Sequence, residues 1–474
     1  MSSLQLSQQP ISLRITPSDA AGELLRRRQA RRSLIPFCQY TLDSYLTPPH
    51  LTALSDALES VERGEVKRLI VVMPPRHGKS ELISLRFPCW YLAKHPEDSM
   101  IQAGYAESIA LTHSRQARDI FISPKMTSLF PGIHHRPERP GQEMVRPERQ
   151  AAHEWGTKQG GSYYAVGIGG GLTGRGFDIG IIDDPVKDEE EATSQTIRDK
   201  VWDWYQKVFR TRAEPDAAII IVMTRWHQDD LVGRLLKRAK EDPDADKWKV
   251  LHFKAIEDGQ ALWPERYPLD VLENIRASIG SRAFESLYQG EPSIAEGNII
   301  KREWWRYYKV RPEFKRKIHS WDTAFKSKSS NDYSVCTIWG ETDNGFYLLE
   351  VLRQRLEFPE LKRAVVAAYD RDRPTAVLIE DEASGQSLIQ ELKRNTYIPL
   401  VPIKADKDKV VRAYAVTPLI EAGRVYLPEY APWLYDYVEE LSAFPNGQYD
   451  DQVDSTSQAL KYMTGRPKVG FGFG

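Results

Sequence analysis

The chain has 474 residues, long enough for two or three domains with real cores. It is 41% hydrophobic and 28% charged, with 65 basic against 66 acidic side chains, which excludes a histone-like or tail-driven polycation but leaves room for one basic face. Three scattered cysteines, Cys38, Cys89 and Cys336, exclude a disulfide framework or a cysteine zinc site and fit a reducing compartment; no apolar run approaches the roughly 20 residues that span a bilayer, so no membrane partner is expected.

Met1–Pro17 is polar, with no apolar signal-peptide core. A helix-like stretch, Ala20–Ser33, carries Arg26, Arg27, Arg28, Arg31 and Arg32. A solvated helix face is the simpler account of that cluster, and contact with nucleic acid or a neighbouring subunit the sharper one. Lys67–Met73 is a short β-branched run that reads as a buried strand, followed by a helix over Ser80–Lys94. Further buried runs stand at Met100–Gly104, Ile179–Ile182 and Ala218–Met223, with helical stretches at Ala106–Ile122 and Glu190–Val208 between them. Strands alternating with helices predict a mostly parallel α/β sheet covered on both faces. Asp242–Trp263 is charged and irregular, and a linker is expected around Trp263–Asn298. A second pattern then begins. Ile318–Thr323, Ser334–Gly340 and Phe346–Val351 read as strands, with a turn at Asp343-Asn344-Gly345. A helix (Pro359–Asp370), a strand (Ala376–Glu380) and a helix (Ser387–Asn395) follow, which predicts a second α/β domain. Arg466–Gly474 is expected to be a flexible tail, and no internal repeat is visible.

Between the first strand and its helix lies Met73-Pro-Pro-Arg-His-Gly-Lys-Ser80. Phosphate binding needs backbone N–H groups facing the anion, a lysine reaching the β/γ-phosphates and a hydroxyl on Mg²⁺. Arg76, His77, Gly78, Lys79 and Ser80 can supply these, although Met73 stands where the motif has its first glycine. The next helix adds its dipole. Asp183 and Asp184 end the strand of FDIGIIDDP. Asp183 would hold Mg²⁺ and Asp184 would orient the attacking water; alone, they read equally as two acids in a surface turn before Pro185. Gly167–Gly176 is a glycine-rich stretch that suits close approach to phosphate or a plain connector. Thr224 and Arg225 end the next strand and could sense the γ-phosphate, or serve a strand-end turn with an ordinary ion pair. Arg76, Arg115 and Arg118 are the candidates for an arginine finger.

In the second half, Asp322 and Glu380 (followed by Asp381) end strands, and Asp450 and Asp451 open a helix with Asp454 one turn on. Each acid alone reads as a strand end or helix cap. Together, in one α/β domain, they have the composition of a two-metal phosphodiester-cleaving site for Mg²⁺ or Mn²⁺.

On PPRHGKS, FDIGIIDDPVKDEEEA, MTRWHQDDLVGRL, WDTAFKSKSSNDYSV, LIEDEASG and YDDQVDSTSQAL, occurring in that order, the chain resembles the large terminase subunit of tailed bacteriophages and prophages from about His50 to Met463. The resemblance implies an ASCE-type P-loop ATPase over 46–262 and an RNase H-like nuclease over 301–463. A basic helical segment (1–45), a linker (263–300) and a tail (464–474) complete the division. Residue by residue it implies phosphate-loop roles for Lys79 and Ser80 and Mg²⁺ binding by Asp183. Asp184 takes the position of the catalytic carboxylate, where the family commonly has glutamate. Thr224 and Arg225 match the coupling motif. Asp322, Glu380 and the Asp450–Asp451 pair match the nuclease ligands, with Asp451 favoured over Asp450. It further implies ATP and metal cofactors. The expected partners are double-stranded DNA, the portal of the procapsid, a small terminase subunit and other copies of this chain. Those copies would form a ring, expected to be a pentamer, that docks transiently on the procapsid in the host cytoplasm. Three rivals stand beside this reading. They are a helicase-type translocase whose second domain does not cut, a nucleotide-independent nuclease such as a resolvase, and a structural capsid or scaffold protein.

Overall fold

The protein is described from a computed structural model covering residues 17–132, 153–292, 299–323, 333–381, 383–404 and 408–465. The expected tail over 466–474 lies outside these residues, as do the first sixteen.

The first sheet has seven strands: β1 (Arg68–Val72), β2 (Ser99–Gly104), β3 (Glu154–Gly156), β4 (Ser162–Gly167), β5 (Phe177–Asp183), β6 (Ala213–Met223) and β7 (Lys249–His252). They lie in the order β3-β4-β2-β5-β6-β1-β7, and every pairing is parallel except the short edge pair β3–β4. Alternate side chains of β1 serve opposite faces. Leu69 and Val71 join a core with Leu51, Leu54, Phe87 and Trp90, whereas Ile70 and Val72 join Trp204, Phe209, Ile219 and Ile221. This two-sided burial is why these strands are nearly continuous apolar runs. Pairing is in direct register, Leu69 beside Ile220 and Ile181 beside Ile220 across the next edge, so the carboxyl ends of β5, β6 and β1 are neighbours.

A small hairpin, β8 (Ile256–Glu257) and β9 (Gln260–Ala261), and two helices, Leu269–Ile279 and Ser281–Leu287, occupy the stretch between the sheets. The second sheet comprises β10 (Arg306–Tyr308), β11 (Arg316–Asp322), β12 (Ser334–Glu341), β13 (Phe346–Gln354), β14 (Ala376–Glu380), β15 (Leu400–Ile403) and β16 (Val425–Pro428). Their order is β10-β16-β13-β12-β11-β14-β15, antiparallel only from β11 through β13. The expected turn joins β12 to β13, where Thr342 N–H donates to Gly345 O at 3.0 Å. Helices Lys409–Glu421, Leu434–Ala443 and Asp451–Thr464 share one core with the sheet, around Trp339, Val425, Tyr437 and Leu460. Helices Phe358–Asp372 and Ala383–Asn395 cover the other face, over Trp321, Ile338 and Ile379.

Candidate nucleotide and metal sites

The loop after β1 reverses through two left-handed residues, Arg76 (φ 63°) and Gly78 (φ 95°). Met73, where the textual motif has glycine, is not part of this reversal. It is buried and prolongs β1, its N–H reaching Met223 O at 3.3 Å. The chain therefore has no need of glycine there, because Arg76 takes the unusual conformation three residues later. A Cβ on Gly78 would stand 3.0 Å from Leu51 Cδ1, a second reason for its glycine.

Lys79 is buried at the centre of the site. Its ammonium meets Asp184 Oδ2 at 2.9 Å and also donates to Thr224 Oγ1. Asp184 is itself left-handed (φ 44°), and its Oδ1 accepts the Thr224 N–H at 2.7 Å. That backbone twist turns the short aspartate onto the lysine. Asp183 is buried alongside, accepting from Ser84 Oγ at 2.6 Å, with His113 Nδ1 3.8 Å from the same carboxylate oxygen. Burial, and next the charge of Asp184, push its carboxyl above the usual range, against Lys79, His113 and the Ser84 bond. Its Oδ1 is buried with no partner among the described residues. A buried carboxylate acceptor left open beside the phosphate loop, with the Ser80 and Ser84 hydroxyls in the following turns, fits a hard divalent cation such as Mg²⁺.

The remaining N-terminal candidates fall into two groups. Arg76 is exposed and without a side-chain partner among the described residues, and Ser80 opens the turn after the loop. The imidazole of His77 faces away into an aromatic box, stacked 4.7 Å from Tyr267 and near Trp263 and His50. Burial drives its pKa down to about 4, so it is neutral. Arg225 is paired with buried Asp230 at 2.7 Å, and its carbonyl accepts Ser286 Oγ at 2.9 Å. Arg115 is exposed and Arg118 lies 3.5 Å from Asp119, while His113 on the same helix is the residue that reaches Asp183. The glycine-rich stretch packs on the helix Gln195–Trp204, with Trp204 Nε1 donating to Gly170 O at 2.8 Å.

In the second sheet, β11 and β14 are parallel neighbours with Trp321 opposite Ile379, which brings Asp322 and Glu380 to the same end. The helix Asp451–Thr464 crosses this end, pinned by Ser455, whose hydroxyl reaches Ser320 O and Thr337 Oγ1 at 2.7 Å each. Small polar side chains let the helix backbone come this close. Its first turn then delivers Asp451 and Asp454 to Asp322. The Asp322 carboxyl is pushed well above the usual range, by burial first and then by the charges of Asp454, Glu380 and Asp451. Asp451 is pushed up to about 6 by burial, Glu440 and Asp450. Asp450 caps the helix start and turns its carboxylate to Lys409, 2.9 Å away.

Among the described residues, no three His, Cys, Asp or Glu side chains stand close enough to hold a metal ion as they are. Two cations stand among these acids: Arg412 takes Glu380 and Asp454 at 2.7 Å each, and Lys409 takes the other oxygen of Asp454 at 2.8 Å. The donor set still fits Mg²⁺ or Mn²⁺. It is all carboxylate, and Asp322 and Asp451 have no hydrogen-bond partner among the described residues. Sequence reasoning noted Asp454 among the acids but gave it no role, and passed over Ser84, His113, Arg412 and Lys409 as site residues. Ser84 was signalled by helical spacing, four residues after Ser80. Arg412 and Lys409 carried no such sign.

Two sequence families match. A model described as the N-terminal part of the terminase large subunit, T4-like virus type, matches residues 70–306, half of the chain. A model of the terminase RNase H-like domain matches residues 319–462. No curated protein sequence matches. Among solved structures, the large terminase of a thermophilic bacteriophage superposes with a TM-score of 0.53 at 12% identity, over 88% of this chain and 99% of that one, which shows a shared fold. The HK97 bacteriophage large terminase is also similar, with TM-score 0.38 and 13% identity over 93% and 99% of the two chains. So is the magnesium-bound large terminase nuclease of phage G20c, with TM-score 0.28 and 16% identity over 35% of this chain and 98% of that one. The two family matches, in chain order over the two sheets just described, mean that the chain belongs to the terminase large-subunit family, with an N-terminal ATPase domain and a C-terminal RNase H-like domain.

Proposed function

We propose that this chain is the motor subunit of viral DNA packaging. ATP hydrolysis drives double-stranded DNA through the portal into the procapsid, and the C-terminal domain cuts concatemeric DNA at the start and end of packaging. The observation that carries the reading is the meeting of Lys79, Asp183, Asp184 and Thr224 at the ends of three adjacent strands. These are the groups phosphoryl transfer uses. Lys79, now held by Asp184 and Thr224, exchanges those partners for phosphate oxygens when ATP enters. Asp184, released, orients the attacking water, and exposed Arg76 is free to neutralise charge on the γ-phosphate. Asp183 and Ser80 would hold Mg²⁺, which when bound offsets phosphate charge.

In the C-terminal domain Asp322, Glu380 and Asp451 would hold two divalent cations, whose chemistry is to polarise the phosphodiester and lower the pKa of water. The reading extends to contacts with the portal, a small subunit and other copies in a ring, working in the host cytoplasm. Grip on DNA would be mainly to phosphates and so would weaken steeply with salt.

A second reading, an ATP-driven translocase that does not cut, is favoured by one observation: Arg412 and Lys409 already occupy part of the acidic cluster. Plasmid cleavage with Mn²⁺ or Mg²⁺, run beside ATP hydrolysis, separates the two. Lys79→Ala is expected to lower ATP turnover by a factor on the order of 10²–10³ while still cutting. Asp322→Ala is expected to lose cutting and keep ATP turnover. Folded wild-type protein that cuts with neither metal would leave the translocase reading standing.

A further inference from the structure

The acidic cluster of the C-terminal domain contains two carboxylates, Asp450 and Asp454, beyond the set Asp322, Glu380 and Asp451, and the side chains divide into two classes; Asp450, 2.9 Å from Lys409, falls with Asp454. Asp322 and Asp451 have no hydrogen-bond partner among the described residues, and Glu380 has one, Arg412 Nη1 on Oε1, which leaves Oε2 open. Asp454 is different: Oδ1 accepts from Arg412 Nη2 at 2.7 Å and Oδ2 faces Lys409 Nζ at 2.8 Å. Asp454 is also the more enclosed, only 6% exposed. Both cations come from one helix, Lys409–Glu421, at positions three apart that share a face.

From this division we propose that Asp454, Arg412 and Lys409 form a positioning unit rather than part of the ligand set. Asp454 is the anion that anchors the two cations. Arg412, a planar fork able to reach two carboxylates at once, fixes Glu380 by one oxygen so that its other oxygen joins Asp322 and Asp451. Lys409 shows what an ammonium does here: it meets Asp450 and Asp454 as a point charge, without the planar fork that fixes the orientation of the carboxylate it holds. The inference rests on the nuclease reading above and deepens it by separating the acids that bind cations from the acid that aims them.

The test uses the full-length protein and two readouts, the number of Mn²⁺ ions bound, from electron paramagnetic resonance, and the plasmid cleavage rate at saturating Mn²⁺. Asp454→Asn, Arg412→Gln and the double variant are compared with wild type, and Asp322→Asn serves as a ligand control. The expected pattern is that Asp454→Asn and Arg412→Gln each bind as many Mn²⁺ ions as wild type but cut about 10–100-fold more slowly. The double variant should be no slower than either single one, because both changes break the same unit. Asp322→Asn should lose bound Mn²⁺. Arg412→Lys, which keeps the charge, covers the case in which Arg412→Gln does not fold; it too should bind the wild-type number and cut slowly.

Loss of a Mn²⁺ ion in Asp454→Asn would make Asp454 a ligand and overturn the proposal. So would wild-type cleavage rates in the single variants, or rate losses that multiply in the double variant. Wild-type protein that binds no Mn²⁺ would overturn the nuclease reading and this inference together, and that outcome is told apart because it shows in wild type before any substitution.

Discussion

Asp184 and Arg76 show how much a single backbone torsion can decide. Both are non-glycine residues with positive φ, a conformation that ordinarily costs about 1 kcal/mol or more. At Asp184 the cost is offset by a charged bond to Lys79 and an accepted N–H from Thr224. Gly385 illustrates the same scale from the other side. A Cβ there would lie 1.8 Å from Glu380 O, so Gly385→Ala must displace the strand end that carries Glu380. We expect it to cost about 1–3 kcal/mol of stability and to slow cutting, measured by urea melts and plasmid cleavage. Titration provides a further check. Burial holds His77 and His319 down to about 4, against about 6.5 in an unfolded chain. Between those values the unfolded chain binds protons that the folded chain does not, so stability is full above pH 6.5 and falls with acidification. Each contributes about 2 kcal/mol of loss by pH 5. Asp322 and Asp451, raised by burial and by neighbouring acids, act with the opposite sign. Comparing urea midpoints of wild type and His77→Gln at pH 7 and pH 5 isolates the histidine term, and the variant should show the smaller fall.

At the scale of elements, function depends on where helices begin. The helix Asp451–Thr464 reaches the sheet because Ser455, Ser320 and Thr337 are small and mutually hydrogen-bonded in a buried setting. Ser455→Val leaves Ser320 O and Thr337 Oγ1 without their partner, at about 1–3 kcal/mol. It also adds a second branch where the backbones are close. The expected result is a lower urea midpoint and slower cleavage, because Asp451 moves with its helix. The central strands are legible in the sequence, since burial on both faces forces continuous apolar runs: Lys67–Met73 contains β1, and Ala218–Met223 is the end of β6. β10, β15 and β16 are not, being only three or four residues long, the last two each with a proline, and their pairing comes from the sheet they join. The turn of π-helix at Glu81–Arg86 is equally hidden.

Over the whole molecule, one short helix, Ser281–Leu287, touches both halves. Ser286 Oγ bonds the carbonyl of Arg225, Arg282 pairs with Glu189 and lies 3.4 Å over the Tyr414 ring, and Ser281 Oγ meets Glu421 at 2.6 Å. Tyr414 and Glu421 belong to the helix that carries Lys409 and Arg412. Removing the shared guanidinium by Arg282→Ala should loosen the halves from each other. The expected outcome is a single melting transition that broadens or splits in calorimetry, with ATP turnover of the isolated subunit changed less than about twofold.

The two α/β halves, the phosphate loop, the carboxylates at strand ends and the family they resemble can all be read along the chain. Each of these is written locally, in a run of β-branched residues, a Gly-Lys-Ser or an acid before a turn. Tertiary structure alone decided which of those acids face one another and what holds them. Asp454 stands against Asp322 because a helix crosses two strands, and Arg412 spans Glu380 and Asp454 from a third element. Long-range electrostatic neighbours of this kind leave no periodicity or spacing in the chain, because the residues that share one charge cluster are brought together only by packing.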